Sequence, residues 1–400
     1  MSKIMAVNAG SSSLKFQLLQ MPEEVVITEG QFEKIGLESP IFTIEYQGEK
    51  NKKIVNIENH ADCVEMLLNT LLEMKIVNNL EEISGVGHRV LHCGEKFSDS
   101  VVLDDYAIKV IESVCDLGPL HNPANLIGIR AFQKALPNVV QVAVFDTSFH
   151  LTMPDESFMY ALPYEWYTKH GVRKYGFHGT SHKYVSKKAA EFLGQPIENL
   201  RIVTAHLGNG ASLAAIKNGK VVDTTMGLTP LEGLPMGTRS GNFDPAIIEF
   251  ICKKEKLTVE EVNTILNKKS GYIGFYPKSS DAREVRAAAA AGDYSADLIL
   301  RMQAKKVTDF IGSYFVYMGG IDTIVFTAGI GEKSPETRWE ICRRLKEALG
   351  VEIDEEKNKI KGELMEISTP NSKIKVLVVP TNEELMIARD VIRLGNIEEK

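Results

Sequence analysis

The chain opens with a short apolar run, Ile4 to Val7. It stops at Asn8, turns through Ala9-Gly10 and three serines, and resumes as Leu14, Phe16 and Leu18. Alternation on both sides of a Gly/Ser turn predicts a β-hairpin. The pattern returns at Ile202 in IVTAHLGNGASLAAI, followed by Asn218-Gly219, a strong hairpin turn. Two more stretches, Val140-QVAVFDTSFH and Ile321-DTIVFTAGIGE, read as a second matched pair of buried β-runs that end in small and polar residues. Members of each pair lie roughly half a chain apart, which predicts two domains on one plan, each led by hairpins and continued by strand–helix units.

Helical periodicity fills the intervals. Helices are expected at Ala61–Leu72, Asp104–Val114, Pro123–Ala135, Ser181–Leu193, Ala296–Met318, Pro335–Leu349 and Asn382–Leu394. Ser334 caps Pro335, and Gly350 follows the end of that helix. Thr180 or Ser181 is expected to cap the helix after His178, and Thr381 with Glu384 fits a capping box before the last helix. Gly227-LTPLEGLPMGTRSGNFDPA has no periodicity; an ordered loop of this length is usually functional.

Four hundred residues exceed one ordinary core. The expected division is 1–150 plus the C-terminal helix 385–400, and 151–384. A net charge of −7 argues against a nucleic-acid partner and requires any anion site to concentrate its cations in a cleft. The five cysteines are scattered, without C-x-x-C, as in a reduced cytoplasmic protein. No signal peptide or membrane-length run is read, so no membrane association is expected.

Several residues could carry chemistry. The opening turn lacks the Walker pattern and alone reads as a plain turn; its echo at Gly208-Asn209-Gly210 makes a pair of hairpins able to offer backbone N–H groups to a polyphosphate. Lys15 would add charge, and Asn8 could order a metal-bound water. Asp146 ends a strand, as a cap or as a ligand-facing carboxylate. His178 and His182 lack a third zinc ligand, and His178 beside a helix N-terminus suits an anion. Arg239 in the aperiodic loop suits planar anion recognition, and Arg89, if buried, needs a partner. With His121, the set is cationic. It suits phosphate transfer to an acceptor that is already an anion, because a carboxylate needs no base at neutral pH.

VNAGSSSLKFQL, GFHGTSHKYV, AHLGNGAS, GLTPLEGLPMGTRSGNFDP, TAGIGEKSPETR and TNEELMIA together resemble the acetate kinase family, end to end. The resemblance implies an α/β fold of two duplicated actin-like ATPase domains, hairpin-led mixed sheets with flanking helices around a nucleotide cleft. The activity implied is reversible transfer between ATP and acetate, giving acetyl phosphate and ADP, with Mg²⁺ (Mn²⁺ an admissible substitute), in a cytoplasmic homodimer. By position, Asp146, His178 and Arg239 are catalytic. Arg89, Leu91, Leu120, His121, Phe177 and Pro230 bind the acyl substrate, and Asn8 and Glu383 serve the metal. Lys15, Ser11 and Ser13, the run His206, Leu207, Gly208, Asn209, Gly210, the run Asp281, Ala282, Arg283, and the run Gly329, Ile330, Gly331, Glu332, Lys333 bind ATP. Many members have Val at the place of Leu91 and Gly at that of Cys93, so a preference for acetate over propionate is expected. A propionate or butyrate kinase, a sugar kinase and a nucleotide-switched binding protein are the competing readings.

Overall fold

A computed structural model describes residues 2–119 and 121–397. The chain forms two compact units, Met1–Phe149 with Asn382–Lys400, and His150–Thr381.

The first unit is built on an eight-stranded mixed sheet. Its strands are β1 (Ser2–Gly10), β2 (Ser13–Met21), β3 (Val25–Glu33), β4 (Ile41–Tyr46), β5 (Glu49–Ile54), β6 (Ile83–Val90), β7 (Val101–Val102) and β8 (Val140–Phe145), in the order β5-β4-β3-β2-β1-β6-β8-β7. The opening hairpin pairs Asn8 with Lys15 and Gly10 with Ser13, leaving Ser11-Ser12 as the turn. Period-two alternation separates the faces of the sheet. Met5 and Val7 enter a core with Leu14, Phe16 and Val86, to which the helices His60–Glu73 and Asn122–Ala135 contribute Leu67, Leu71 and Phe132.

Against the other face of β6 lies the last helix, Glu383–Gly395, and the sequence of β6 makes room for it. A Cβ on Gly87 would collide with Ile387, and one on Gly85 with Val391. Arg89 continues this stripe, two residues on, and its Nε lies 3.8 Å from Glu383 Oε2. Steps of four along a helix and two along a strand both advance about 6 Å, so Glu383, Ile387 and Val391 meet Arg89, Gly87 and Gly85 in register.

The second unit carries six strands, β9 (Arg201–Leu207), β10 (Ala211–Lys217), β11 (Lys220–Thr224), β12 (Thr323–Thr327), β13 (Met365–Glu366) and β14 (Lys375–Val378), ordered β11-β10-β9-β12-β14-β13. The β10–β11 turn places Asn218 and Gly219 at φ +56° and +76°, the left-handed pair that a two-residue hairpin requires. Strands β9, β10 and β12 are buried on both faces, between helices such as Gly179–Leu193 and Tyr294–Met318.

Strand order shows the duplication directly. The series β3-β2-β1-β6-β8 in one unit matches β11-β10-β9-β12-β14 in the other, antiparallel through the hairpins and parallel thereafter. This is a mixed α/β actin-like plan, used twice. It also corrects one pairing: the run ending in Asp146 is β8, whose counterpart is β14. The run Ile321–Glu332 contains β12, the counterpart of β6. Two buried strands that end in small residues look alike in sequence, and only the sheet order tells them apart.

Capping needs correction as well. His178 itself occupies the cap of Gly179–Leu193, at φ +58°, and neither Thr180 nor Ser181 caps it. Asn382, not Thr381, caps the last helix by accepting from Leu385 N at 2.9 Å. Thr381 is instead engaged with Ser181, Oγ1 to Oγ at 2.8 Å. Ser334 does cap Pro335–Leu349, and Gly350 ends it at φ +66°. No helix among the described residues is long and apolar enough to cross a membrane.

Candidate active site

In the first unit, Asn8, Ser13, Lys15, Arg89, Leu91 and His121 line one cavity of about 250 Å³. The hairpin brings Asn8 and Lys15 to it from facing positions, and Asn125 fixes the floor. Its amide donates to Ala9 O at 2.7 Å, and its carbonyl accepts from Leu91 N at 3.1 Å. Ser11 is exposed at the hairpin tip. Leu120 lies outside the described residues.

Arg89 is the centre of the charge arrangement. Its Nε donates to Asp146 Oδ1 at 3.0 Å, its Nη2 donates to Oδ2, and its Nη1 lies 3.5 Å from Asn8 Oδ1. Burial works against the charge, but Asp146 and then Glu383 outweigh it and hold the guanidinium protonated. Asp146 is wholly buried at the end of β8. Glu383, opposed by Arg89 but flanked by Asp146 and Glu384, has its carboxyl raised above the usual range, chiefly by burial. Three carboxylates around one arginine leave an excess of negative charge that favours a further cation.

The second unit holds a larger cavity of about 850 Å³, in which Gly208, Asn209, Asp281, Ala282, Arg283, Gly329, Ile330 and Lys333 come together. Asp281 caps the helix Ala282–Ala290 by accepting from Arg283 N at 2.8 Å and pairs with the Arg283 guanidinium. Ala287 and Ala290 add a low wall that leaves room for a flat ligand. Not every expected nucleotide residue lines this space. Gly331 packs over Phe326, and Glu332 turns away to accept from Thr381 N at 3.1 Å.

Beside that cavity the β9–β10 turn makes a second meeting point. A Cβ on Gly210 would stand 3.3 Å from His178 Nε2 and 3.6 Å from Arg239 Nη1, so the two donors converge on one spot. His178 reaches it from a left-handed backbone, an outlier of the kind that collects at functional sites. Its ring stacks on His206 with centroids 4.1 Å apart, and His206 Nδ1 is 2.8 Å from Ser181 Oγ. Leu207 closes β9, fully buried. Arg239 donates to Pro230 O at 3.2 Å, and burial lowers its basicity; among the described residues no carboxylate neutralises it. A half-buried guanidinium without a counter-ion is an anion site. Phe177 is buried in this unit, its carbonyl 2.9 Å from His150 Nε2.

Sequence reading missed three contributors. Arg338 is completely buried and donates to Asn358 Oδ1 and to the carbonyls of Gly331, Glu332, Asn358 and Ile360, which pins the Gly329–Lys333 turn. Ser212 lies 2.8 Å from His178 Nδ1. The Gly85/Gly87 stripe delivers Arg89 to Glu383; a G-x-G-x-R alternation within a strand was its only signal.

Comparison with known proteins identifies the family. The acetate kinase of Geobacillus sp. (strain WCH70) is 57% identical over 397 residues, 99% of this chain and 100% of that protein. The crystal structure of the Porphyromonas gingivalis acetate kinase superposes with a TM-score of 0.96 at 45% identity, covering 99% of this chain and 100% of the other. That of a propionate kinase from Francisella tularensis reaches 0.91 at 42% identity, covering 98% and 99%. The family model that matches residues 3–389 covers parts of both units and every candidate site residue, and on that match the chain belongs to the acetokinase family.

Proposed function

We propose that this chain is an acetate kinase, transferring phosphate reversibly and in line between ATP and the carboxylate of acetate. The observation that carries the reading is the convergence of His178 Nε2 and Arg239 Nη1 beside Gly210, with no carboxylate among the described residues to neutralise the arginine. Such a pair of donors stabilises charge on a transferring phosphoryl group. Acetate is already deprotonated at neutral pH, so none of the carboxylates has to act as a base.

In this reading the first unit serves the acyl acceptor and the metal. Arg89 holds the acetate carboxylate, with Leu91 and His121 beside it in the same cavity. Asp146 holds Arg89 by two hydrogen bonds and so fixes the plane of the guanidinium. The second unit serves ATP. Gly208, Asn209, the Asp281–Arg283 segment, Gly329, Ile330 and Lys333 bound the base and ribose.

The donor set around Arg89 fits Mg²⁺. It offers oxygen ligands only, from Asn8 and Glu383, in a surplus of carboxylate charge, and Mg²⁺ is commonly held by one or two carboxylates together with substrate phosphates. Bound there, the ion would neutralise phosphate charge; Mn²⁺ has the same oxygen preference. A cytoplasmic homodimer completes the proposal, in line with the acetokinase family.

The test is to incubate the protein with MgATP, hydroxylamine and single short-chain acids. Acetyl hydroxamate is the expected product, and its absence with every acid would overturn the reading. The likeness to a propionate kinase keeps a second acceptor in view. Hydroxamate forming faster from propionate than from acetate would favour it.

A further inference from the structure

Behind His178 lies a buried chain of hydrogen bonds. His178 Nδ1 is 2.8 Å from Ser212 Oγ, the same hydroxyl is 2.8 Å from His182 Nε2, and His182 Nδ1 is 2.7 Å from Thr204 Oγ1. Ser212, His182 and Thr204 are each 0% exposed. Bulk solvent does not reach them, and the direction of each proton follows from the hydrogen bonds these groups make with one another.

The chain starts at Thr204. Among the described residues its hydroxyl has one hydrogen-bond partner, His182 Nδ1. A buried hydroxyl proton left unpaired costs about 1–3 kcal/mol, so Thr204 donates and His182 Nδ1 accepts. Burial keeps His182 neutral, and its one proton is then on Nε2, donated to Ser212. Ser212 has one proton of its own, which goes to His178 Nδ1. A neutral His178 that accepts at Nδ1 carries its proton on Nε2, the atom that meets Arg239 beside Gly210.

We propose that Thr204, His182 and Ser212 form a tautomer-setting relay, positioning residues that keep the proton of His178 on Nε2 and aimed at the phosphoryl group. This rests on the function proposed above. With the opposite tautomer, Nε2 would present a lone pair to the phosphoryl oxygens, and a stabilising contact would become a repulsive one. His182, whose i, i+4 spacing with His178 resembles a metal motif, acts here through a hydroxyl instead.

The experiment uses the full chain labelled with ¹⁵N at histidine, in which two-bond proton–nitrogen correlations separate protonated from unprotonated ring nitrogens. The wild type at mildly alkaline pH should show His178 protonated at Nε2 and bare at Nδ1. Ser212→Ala should release that preference. It should also lower kcat roughly ten- to hundredfold, with KM for ATP and acetate within about twofold, because orientation and not binding is lost. His182→Gln should keep most of the rate, since its amide donates to Ser212 and its carbonyl accepts from Thr204; His182→Leu should behave like Ser212→Ala. A wild-type His178 bare at Nε2 overturns the relay, as does Ser212→Ala with unchanged tautomer and kcat. If His182→Leu does not fold, the wild-type spectrum and Ser212→Ala still decide. A wild type that forms no acetyl hydroxamate sinks the functional reading instead, and the spectrum judges the relay separately.

Discussion

Arg89 and Asp146 face each other edge to edge, Nε to Oδ1 at 3.0 Å and Nη2 to Oδ2, with the carboxylate wholly buried. Removing one partner strands the other. Arg89→Ala should cost about 3 kcal/mol of stability, since an uncompensated buried carboxylate remains. Asp146→Asn keeps the shape but loses the charge, and kcat should fall at least about tenfold. Urea unfolding and steady-state rates read the two effects; near-normal turnover of Asp146→Asn with unchanged Mg²⁺ dependence would remove Asp146 from the active site.

Gly210 has no positive φ, so alanine is allowed there by the backbone. Its Cβ would nevertheless stand at the point shared by His178 and Arg239. Gly210→Ala should lower kcat/KM at least about tenfold while the Tm moves by no more than about 2 °C. A fully active alanine variant would mean that no phosphoryl oxygen comes to this point.

Acid should weaken the fold through His88. Its imidazole is buried, bonded to Gln141 Oε1 at 2.8 Å, and pushed by burial from 6.5 down to about 4. Between those values the unfolded chain binds more protons, so stability falls as pH falls; from about pH 7.5 to about pH 5 the loss is about 2 kcal/mol. His182 shifts the same way. His88→Gln cannot titrate, and a pH slope as steep as the wild type's would show that other groups carry the effect.

Acyl selectivity should respond to Leu91. The side chain lines the first-unit cavity and is almost fully buried. Leu91→Ala should raise the propionate-to-acetate ratio of kcat/KM by about tenfold, the scale set by a methylene or two of room in a pocket. Competition between the two acids reads this directly. A wild type already faster with propionate would contradict the expected preference.

Arg338 offers a prediction confined to the nucleotide. Its bonds run to the turn behind the second-unit cavity, not to any ligand-facing group. Arg338→Lys cannot span the same carbonyls and should raise KM for ATP several-fold while KM for acetate stays within about twofold. Equal shifts in both constants would count against a local role.

What could be read from sequence was whatever the chain settles locally. The hairpin at Ser11-Ser12, the Asn218-Gly219 turn and the helix Pro335–Leu349 depend on neighbouring residues and stand where the pattern puts them. The two caps did not, because Thr381 and Ser181 bond to each other and leave capping to Asn382 and to a strained His178. Arg338 sits in a helix otherwise amphipathic, where an arginine reads as surface until the loop at Asn358 closes over it. Ser212 reads as a small strand residue, and its two histidines lie about thirty positions upstream. The Arg89–Glu383 approach joins residues almost 300 positions apart, beyond the reach of any local pattern.

The return of the last helix has a consequence for synthesis. Residues 150–381 contain everything the second unit is made of, whereas the first unit waits for Glu383–Gly395 to fill the trough left by Gly85 and Gly87. A ribosome that releases the chain before residue 382 therefore yields a sheet with an open apolar furrow and an arginine lacking Glu383. A sealed first unit therefore arrives only with the turns of this helix, and a product truncated before it displays that furrow to quality control.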